Sequence, residues 1–291
     1  MRIAVVGERG GWHVEQLLAR LVHRGHAATG VSWRTVEARV DATGLRFGPE
    51  PLATADVVVV RGMPGVGTAE ARLDDVIFRM DALAQLQTGG TPVVNPPRAL
   101  EICIDKYLAL AMLARAGVPV PRTHVVQGHA AALEAWESLG RDCVVKPLFG
   151  SRGRGVVRAV DADALVAAST PGVTYLQEFV PHPGWDLRIL VIGDDTFSMR
   201  RRAAAGEWRT NISLGGQPEA IEVGPTVIDL ARRAAKAVGT TLAGVDLVPG
   251  PDGPMVLEVN AVPAWRGLQT VVAADLTDAV AVAIERAATG S

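Results

Sequence analysis

The sequence predicts a two-part protein, with an α/β layer at the N-terminus followed by an α+β region built on antiparallel sheets. Strands and helices alternate through the first 95 residues, which is typical of an α/β layer. From about residue 120, strand candidates follow one another closely. The chain has 291 residues, of which 48% are hydrophobic and 21% charged. This size and composition suit about two domains and exclude global disorder.

The N-terminal elements are identified by short apolar runs and by turn residues. The run Asp-Val-Val-Val-Val is unbroken enough for a strand buried in a parallel sheet. A glycine-rich turn separates the first strand from a segment with leucine and valine at helical spacing. The predicted elements are strand 3–6, turn 7–11, helix 13–23, strand 31–36, strand 56–60, helix 70–88 and strand 92–94.

An Asn-Pro-Pro-Arg sequence at 95–98 punctuates the chain, so we expect an N-terminal domain over 1–95 and a second domain over 96–291. The second domain is expected to divide into a small subdomain at about 120–180 and a larger one at about 181–291. A leucine-rich helix opens it and ends at residue 117. The further predicted elements are strands 123–126, 142–146, 155–160, 173–180, 186–192 and 195–202, a hairpin over 244–259, and helices 130–139, 161–169, 225–238 and 273–288.

Composition and missing motifs argue against several classes of protein. Lysine and arginine number 29 against 31 acidic residues, and only 4% of residues are aromatic, which argues against a dedicated nucleic-acid binder. Two cysteines without zinc-type spacing predict neither a disulfide framework nor a zinc site. No apolar run reaches about 20 residues and none resembles a signal peptide, so a cytoplasmic protein is expected. The first glycine turn lacks Gly-x-Gly-x-x-Gly spacing, which favours a plain turn over a dinucleotide site.

The first stretch with chemical content covers residues 144–157. A strand ends at Lys146, a loop with Gly150, Gly153 and Gly155 follows, and a second strand leaves the loop. Glycines let backbone N–H groups approach an anion because no Cβ is in the way, and the lysine adds a charge at the base of the loop. The pattern predicts either a phosphate cradle or a flexible hairpin turn with solvated arginines.

A second stretch predicts a metal site on a C-terminal hairpin. Hairpin symmetry places Asp246 opposite Glu258, and Asn260 shares the face of Glu258. Like charges directly opposite each other destabilise a sheet, and a divalent cation removes that penalty. Oxygen ligands favour Mg²⁺ or Mn²⁺. Leu257 is expected on the opposite, core-facing side. An exposed acidic sheet face is the alternative.

A third stretch carries arginines on two adjacent strands. Asp186 and Arg188 share a face of the first strand, and the second strand carries Arg200, Arg201 and Arg202, of which the first two are the expected solvated members. Arginines beside a phosphate cradle and an acidic metal site suit a phosphoryl group in transfer and a carboxylate. The alternatives are a solvated edge strand, and an Asp186 that simply pairs with a neighbouring arginine.

Together these residues resemble the ATP-grasp superfamily, and specifically its RimK-type α-L-glutamate ligases. The resemblance covers nearly the whole chain and is strongest over 95–269. It implies an ATP-grasp fold preceded by an α/β pre-ATP-grasp domain. The runs that carry it are Phe-Arg-Met-Asp at 78–81, Asn-Pro-Pro-Arg-Ala-Leu-Glu at 95–101, Asp-Lys-Tyr at 105–107, the loop at 144–155, Leu-Gln-Glu-Phe-Val at 176–180, Asp-Leu-Arg at 186–188, Trp-Arg-Thr-Asn at 208–211 and Glu-Val-Asn at 258–260.

The resemblance implies a role for each site residue. Main-chain groups of Glu178 and Phe179 would hold adenine, Lys106 and Lys146 would contact the phosphates, and Asp186 would approach the ribose. The residues implied to bind ATP are Lys106, Lys146, Gly150, Ser151, Gly153, Gly155, Gln177, Glu178, Phe179, Val180 and Asp186. Those implied to act on the transferred phosphoryl group are Arg188 and Arg202, and those implied to hold the carboxylate substrate are Arg209 and Asn211. The implied ligands of two Mg²⁺ (or Mn²⁺) ions are Asp246, Glu258 and Asn260.

One departure from the family pattern concerns the acceptor. RimK-type ligases usually continue to a Pro-Gly pair after Glu-Val-Asn, whereas here Ala264 stands in place of the glycine and Trp265 and Arg266 follow. The chain is more similar to the small-molecule branch, which includes ligases associated with tetrahydromethanopterin-type pterin or furan cofactors.

The resemblance implies an ATP-dependent carboxylate–amine ligase that works through an acyl phosphate and releases ADP. Its implied partners are a small-molecule carboxylate acceptor and an amino-acid donor, L-glutamate, with no nucleic acid and no membrane. A homo-oligomer is expected on the same ground. The sequence shows no nucleophilic arrangement of serine, cysteine or histidine, which fits a mechanism without a covalent enzyme intermediate. An ATP-dependent kinase on the same fold and a non-catalytic nucleotide sensor are the alternatives.

Overall fold

The computed structural model describes residues 1–62, 73–150 and 153–290, which form fifteen strands and ten α-helices. The strands are β1 (Arg2–Val6), β2 (Ala27–Val31), β3 (Glu37–Asp41), β4 (Gly44–Gly48), β5 (Val57–Val60), β6 (Val93–Val94), β7 (Thr123–Gln127), β8 (Cys143–Lys146), β9 (Val157–Ala159), β10 (Val173–Glu178), β11 (Trp185–Ile192), β12 (Asp195–Arg202), β13 (Gln217–Ala220), β14 (Leu242–Gly250) and β15 (Gly253–Asn260). The helices are α1 (Trp12–His23), α2 (Glu50–Ala53), α3 (Leu73–Thr88), α4 (Pro97–Ile104), α5 (Lys106–Arg115), α6 (His129–Ser138), α7 (Ala162–Ala168), α8 (Pro225–Ala237), α9 (Arg266–Gln269) and α10 (Leu276–Thr289).

The first sheet is parallel and has the strand order β2-β1-β5-β6. Its central strands are buried because their residues are apolar on both faces, as the valine run of β5 shows. Helices α1 and α10 cover one face, where Leu17 and Ile284 join Ile3 in one core cluster. Helix α3 contributes Leu83 to the core on the other face. The C-terminal helix therefore packs against the sheet that opens the chain.

The second sheet is antiparallel and has the order β7-β10-β8-β9. Helices α6 and α7 cover one face, where Trp136 and Leu165 pack with Leu176. Because side chains alternate along a strand, the opposite face of β8 and β10 presents Lys146 and Gln177. This sheet forms one wall of the candidate site.

The third sheet is antiparallel and has the order β13-β12-β11-β14-β15. Helices α5 and α8 cover one face, where Leu113 and Leu230 pack with Ile189 and Val245. On the other face of β11, Leu190 packs into the core cluster of the first sheet. The polar part of that face forms the second wall of the candidate site.

The structure corrects the position of the second strand. The predicted strand 31–36 is replaced by β2, which pairs in parallel with β1 and ends at Val31. Residues Trp33–Thr35 form one turn of 3₁₀ helix instead. The β-branched composition of 31–36 misled the prediction because pairing with β1, a tertiary effect, decides which residues are extended. The hairpin of β3 and β4 and the short helix α2 were not predicted.

The structure also divides the leucine-rich helix that follows the first sheet. Its two parts are α4 and α5, and Asp105 between them accepts the amides of Tyr107 and Leu108 at 2.8 and 3.1 Å. The carboxylate thereby caps the second helix. The start of the predicted helix 70–88 lies outside the described residues. In the ranges that are described, no helix is both long and apolar enough to cross a lipid bilayer.

Candidate active site

A cleft between the second and third sheets brings most of the predicted site residues together. The predicted residues that line it are Lys106, Lys146, Gly150, Gly153, Gln177, Glu178, Phe179, Val180, Asp186, Arg209, Asn211, Asp246 and Glu258. Those that are described but do not line it are Gly155, Arg188, Arg202 and Asn260. Ser151 lies outside the described residues.

The third sheet presents a row of charged side chains on the face toward the cleft. Arg201 on β12 lies opposite Asp186 on β11, and its Nε and Nη2 donate to the carboxylate at 2.8 and 2.5 Å. Arg188 on β11 lies opposite Asp246 on β14, with its Nε 2.6 Å from Oδ1. Nη2 of Arg201 also lies 3.1 Å from Oδ2 of Asp246. Positive and negative groups therefore alternate, and each buried charge has an opposite neighbour.

A β-bulge sets the position of the carboxylate pair. Asp246 lies opposite Glu258 as predicted, but the register of the hairpin shifts by one residue next to this pair. The extra residue on β15 lets Val256 take the core position, and Leu257 lines the cleft instead. The prediction that Leu257 fills the core is therefore wrong, because hairpin symmetry alone does not reveal a bulge.

Asp246 and Glu258 provide oxygen ligands that fit a divalent cation. Oδ1 of Asp246 is buried, and no group among the described residues donates a hydrogen bond to it, although Arg188 Nε lies 2.6 Å away. A buried carboxylate oxygen without a hydrogen bond, opposite a second carboxylate, suits a hard cation such as Mg²⁺. No group of three acidic, histidine or cysteine side chains in the described ranges is arranged for a metal. The candidate ligands that line the cleft are therefore these two carboxylates, whereas the predicted third ligand, Asn260, lies two residues further along β15 and does not line it.

Burial governs the ionisation of this charged row. Burial raises the pKa of Asp246, and the guanidinium groups of Arg188 and Arg201 oppose that rise. Burial likewise lowers the pKa of Arg188. For Arg201 burial acts in the same direction, but Asp246 and Asp186 outweigh it, so its pKa is raised. The row is thus stable only as a set, because removing one member leaves a buried charge uncompensated.

The position of Arg188 depends on a glycine. A Cβ on Gly244 would overlap Nη1 of Arg188 and lie 3.0 Å from Cβ of Pro263. Gly244 lies directly opposite Asn260 on β15. A side chain at position 244 would therefore displace the arginine from Asp246.

Two lysines line the cleft and have no carboxylate partner among the described residues. Nζ of Lys146 donates to Oε1 of Gln177 at 2.6 Å, and Nζ of Lys106 donates to the carbonyl of Gly150 at 2.7 Å. Burial lowers the pKa of Lys146 to about 8, an effect that Glu258 opposes and Lys106 reinforces. Burial also lowers the pKa of Lys106. Both cations are therefore available to an anionic ligand.

The glycine loop contacts the segment that follows β12. Nη1 of Arg209 donates to the carbonyls of Gly153 and Val156 at 3.4 and 3.3 Å. The same arginine donates from Nη2 to Glu207 at 2.6 Å. A Cβ on Gly153, whose φ is 70°, would lie 2.6 Å from Oδ1 of Asn211. The two residues predicted to hold a carboxylate thus lie against the loop predicted to cover the phosphates.

In the segment predicted to hold adenine, two of the main-chain N–H groups already donate hydrogen bonds within the protein. The N–H of Glu178 donates to the carbonyl of Arg122 at 2.9 Å, and the N–H of Phe179 donates to the carbonyl of Asp142 at 3.1 Å. Within the described residues, the N–H of Val180 makes no hydrogen bond. Val180 is therefore the residue of this segment with an amide donor available to a ligand.

An aromatic wall closes the same end of the cleft. The ring of Phe179 lies under the guanidinium of Arg158, 3.4 Å from its centroid, and edge-on to Trp208 at 5.8 Å. His182 also lies beside it, at 5.7 Å, and its buried Nδ1 has no hydrogen-bond partner in the part of the chain that the structure describes. Arg158 and His182 were not predicted, because neither belongs to a short motif and only the fold brings them to Phe179.

The arginine run on β12 divides between the two faces of the sheet. Arg201 is 4% exposed and lines the cleft, so the prediction that it is solvated is wrong. Arg202 is exposed on the other face, where it and Arg200 pair with Glu219 at 2.7 and 2.6 Å. Because side chains alternate along a strand, only one of two consecutive arginines can face the cleft. The structure brings Arg201 there in place of Arg202, and it pairs Asp186 with Arg201.

Comparison with known protein sequences finds ligases of one family. Residues 103–284 match the RimK-like ATP-grasp domain. The chain is 35% identical over 276 residues to the tetrahydromethanopterin:α-L-glutamate ligase of Methanosarcina acetivorans, with 83% of this chain and 82% of that protein covered. It is 31% identical over 298 residues to a probable α-L-glutamate ligase of Xanthomonas campestris pv. campestris (strain 8004), with 99% of each covered.

Comparison with solved structures finds the same fold. The ATP-grasp ligase PsnB, in complex with a phosphomimetic variant of its minimal precursor, Mg and ADP, superposes with a TM-score of 0.77 at 26% identity over 99% of both chains. The D-alanine–D-alanine ligase of Bacillus anthracis, in complex with ATP, superposes with a TM-score of 0.72 at 18% identity, over 100% of this chain and 98% of that one. At that identity the second likeness concerns the fold alone.

Proposed function

Because this chain belongs to the RimK-like ATP-grasp family of carbon–nitrogen ligases, we propose that it joins an amine to a carboxylate through an acyl phosphate formed with ATP. The observation that carries the proposal is the make-up of one cleft. Lys146 and the carboxylate pair of Asp246 and Glu258 line it together with the buried Arg201. Its described lining residues include no serine and no cysteine. Such a site suits charge neutralisation and positioning rather than nucleophilic catalysis.

ATP would lie along the cleft with its phosphates toward the charged row. The aromatic wall around Phe179 would cover the adenine, and the free N–H of Val180 would donate to the ring. Lys106 and Lys146 would exchange the neutral oxygens they now contact for phosphate oxygens. This exchange is favourable because a charge-assisted hydrogen bond is stronger than one to a neutral acceptor. Asp186 is engaged by Arg201, so its proposed contribution is to hold that arginine in the cleft.

The chemistry needs two bond changes. A substrate carboxylate oxygen attacks the γ-phosphorus of ATP, and the bond to the β-phosphate oxygen breaks to release ADP. The amine nitrogen then attacks the acyl carbon, phosphate leaves, and the proton lost by the amine goes to the phosphate. Arg188 and Arg201 would stabilise the phosphoryl charge during the first change. Two Mg²⁺ (or Mn²⁺) ions, held by Asp246, Glu258 and Asn260, would supply further neutralisation of the phosphates.

The substrates are proposed from the names of the relatives. L-glutamate is the proposed amine donor because the relatives are called α-L-glutamate ligases. A small-molecule carboxylate, of the pterin or furan cofactor type, is the proposed acceptor because the archaeal relative is named a tetrahydromethanopterin:α-L-glutamate ligase. Arg209 and Asn211, which lie beside the glycine loop, are proposed to hold the acceptor carboxylate. A homo-oligomeric state is proposed on family grounds, and light scattering of the purified protein tests it.

The proposal is tested by following ADP and free phosphate together. The purified protein is incubated with ATP, Mg²⁺, L-glutamate and a deproteinised small-molecule extract. A ligase forms ADP and phosphate in equal amounts, and only when both glutamate and extract are present. ADP without phosphate would instead indicate a kinase. Nucleotide binding without any turnover would support a sensor, and absence of nucleotide binding would contradict the ATP site itself.

Two variants connect the activity to the site. Glu258→Gln keeps the shape of the side chain but removes one charge from the proposed metal ligands, so turnover should fall at least about 100-fold, with partial recovery at high Mg²⁺. Glu219→Gln is the control, because this carboxylate lies on the opposite face of the sheet and pairs with Arg200 and Arg202. Equal activity of the two variants would contradict the metal assignment.

A further inference from the structure

Arg61 is a buried cation with little polar compensation. It follows β5 directly and is 7% exposed. Its Nη2 donates to the carbonyl of Pro263 at 2.9 Å, whereas its Nε and Nη1 are buried and have no hydrogen-bond partner among the described residues. The guanidinium lies over the ring of Trp265, 4.4 Å from the centroid. Burial lowers the pKa of Arg61 to about 9.

A buried guanidinium without a counter-ion is unfavourable, since neither one carbonyl nor an aromatic ring replaces the water it loses. By contrast, the buried Arg201 and the partly buried Arg188 each contact a carboxylate. Arg61 is similar in this respect to Lys106 and Lys146, because those two cations also donate hydrogen bonds to neutral oxygens rather than to carboxylates. In the proposed function those two lysines bind phosphates. Because Arg61 also lacks a carboxylate partner among the described residues, it is a third cation at which an anionic ligand would find an unneutralised charge.

The location of Arg61 supports a ligand site. The first sheet has the order β2-β1-β5-β6, so its connections change direction between β1 and β5. Open α/β sheets bind ligands outside the carboxyl ends of the strands at such a switch point. Arg61 stands there, at the end of β5, and its N–H donates to the carbonyl of Val6 at the end of β1. The turn after β1 packs closely against Arg61, because a Cβ on Gly7 would lie 3.4 Å from the carbonyl carbon of Arg61.

Arg61 also lies close to the charged row of the cleft. The Pro263 carbonyl accepts from Arg61, and Cβ of the same proline lies 3.0 Å from where a Cβ on Gly244 would stand. That position is in contact with the guanidinium of Arg188. One proline therefore separates Arg61 from the arginine proposed to stabilise the phosphoryl group.

We infer that Arg61 binds a substrate carboxylate that is not phosphorylated in the reaction. This inference rests on the proposed function, because an amino acid that reacts through its amine keeps its carboxylates and needs cations to hold them. Of the arginines that line the cleft, Arg201 pairs with Asp186 and Arg209 pairs with Glu207, whereas Arg154 is exposed on the glycine loop. Arg61 has no such partner within the described part of the chain. The amino-acid donor and the acceptor can both present this group, and the test distinguishes them.

The test uses Arg61→Met, which removes the charge and keeps the length, Arg61→Lys, which keeps the charge, and Arg98→Met as a control on the surface of α4. Binding of L-glutamate is measured by calorimetry with the Mg²⁺ complex of AMP-PNP already bound. We expect Arg61→Met to weaken glutamate binding at least 20-fold, Arg61→Lys to weaken it less, and nucleotide affinity to change less than twofold in both. The urea midpoint of Arg61→Met should equal or exceed that of the wild type, because an uncompensated buried charge has been removed.

A second probe keeps the test independent of glutamate. Sodium formate, the smallest carboxylate, should raise the melting temperature of the wild type more than sodium chloride does, and Arg61→Met should lose this difference. Loss of both responses identifies the donor carboxylate, and loss of the formate response alone identifies the acceptor carboxylate. If the wild type binds no glutamate, the proposed donor is wrong while the formate comparison still decides the role of Arg61. Unchanged responses of Arg61→Met to both probes would overturn the inference.

Discussion

Raising the pH from about 7.5 to about 9.5 is expected to weaken ATP binding because it removes the proton from Lys146. In the nucleotide-free protein this lysine is half-buried, and desolvation lowers its pKa to about 8. Within the described ranges, the hydrogen bond of its Nζ goes to the neutral Oε1 of Gln177, at 2.6 Å. Phosphate binding needs the charged form, so above this pKa the protein must take up a proton when the nucleotide binds.

The size of the effect follows from the fraction of protonated lysine. With a pKa of about 8, that fraction falls from about three quarters at pH 7.5 to about 3% at pH 9.5, so the dissociation constant of ATP should rise about 25-fold. This corresponds to about 1.9 kcal/mol. Stability without nucleotide changes in the opposite sense. Folding lowers the pKa of Lys146 from 10.5, so the unfolded chain binds more protons between about pH 8 and 10.5 and this residue's contribution to stability rises with pH there. Holding the charged lysine buried at neutral pH costs roughly 3 kcal/mol.

Isothermal titration calorimetry measures both parts of this prediction. Titrations in two buffers with different heats of ionisation should show about 0.8 to 0.9 proton taken up per nucleotide near pH 9 and about 0.1 near pH 7. Lys146→Arg should remove the pH dependence, because a guanidinium stays charged over this range. Lys106→Arg should leave it in place and so serves as the matched control. An affinity that does not change with pH in the wild type, or the same slope in Lys146→Arg, would refute the reasoning.

Three further predictions concern single side chains. Arg201→Lys should lower kcat at least about 100-fold because lysine cannot bridge Asp186 and Asp246, whereas Arg202→Lys should stay within about twofold, and steady-state kinetics of the pair decide between the two arginines. Gly244→Ala should displace Arg188 and lower kcat at least about 100-fold. Gly224→Ala is the control, because this glycine has open space around it and kcat should not fall. Similar kcat values for the two variants would contradict the packing argument. Asn95→Ala should lower the free energy of unfolding, measured in urea, by about 3 to 5 kcal/mol. The reason is that Asn95 is 1% exposed, donates to the carbonyls of Leu242 and Ala261 at 2.6 Å, and accepts hydrogen bonds from two main-chain amides. A loss below about 1 kcal/mol would contradict this prediction.

Much of the site was predictable because its residues stand at fixed distances from recognisable turns. The Pro/Gly-rich turn fixed the distance between Asp246 and Glu258, and their opposition is confirmed. The glycine loop and the strands around Lys146 were also placed within two residues of their observed bounds. In these cases local chemistry, namely turn residues and alternating apolar positions, determines the geometry.

The remaining site residues could not be placed because tertiary contacts decide them. The bulge that sends Leu257 into the cleft leaves no mark in the local pattern. Arg61 was not predicted as a site residue, because its significance is the absence of a partner, which only a folded structure reveals. The choice between Arg201 and Arg202 is different. The Gly-Asp turn between β11 and β12 pairs Ile192 with Asp195, so counting back along both strands would have placed Arg201 opposite Asp186.

The distribution of charge in the nucleotide-free site indicates where binding free energy for substrates must arise. Arg188, Arg201 and Arg209 are each neutralised by a carboxylate of the protein, so a substrate anion gains from them only by competing with that carboxylate. Lys106, Lys146 and Arg61 instead rest on neutral oxygens. A phosphate or carboxylate that reaches these three cations relieves a burial penalty as well as forming a hydrogen bond. Removing such a cation should therefore weaken ligand binding without weakening the fold, whereas removing a member of the charged row should do both, because the row is compensated only from within.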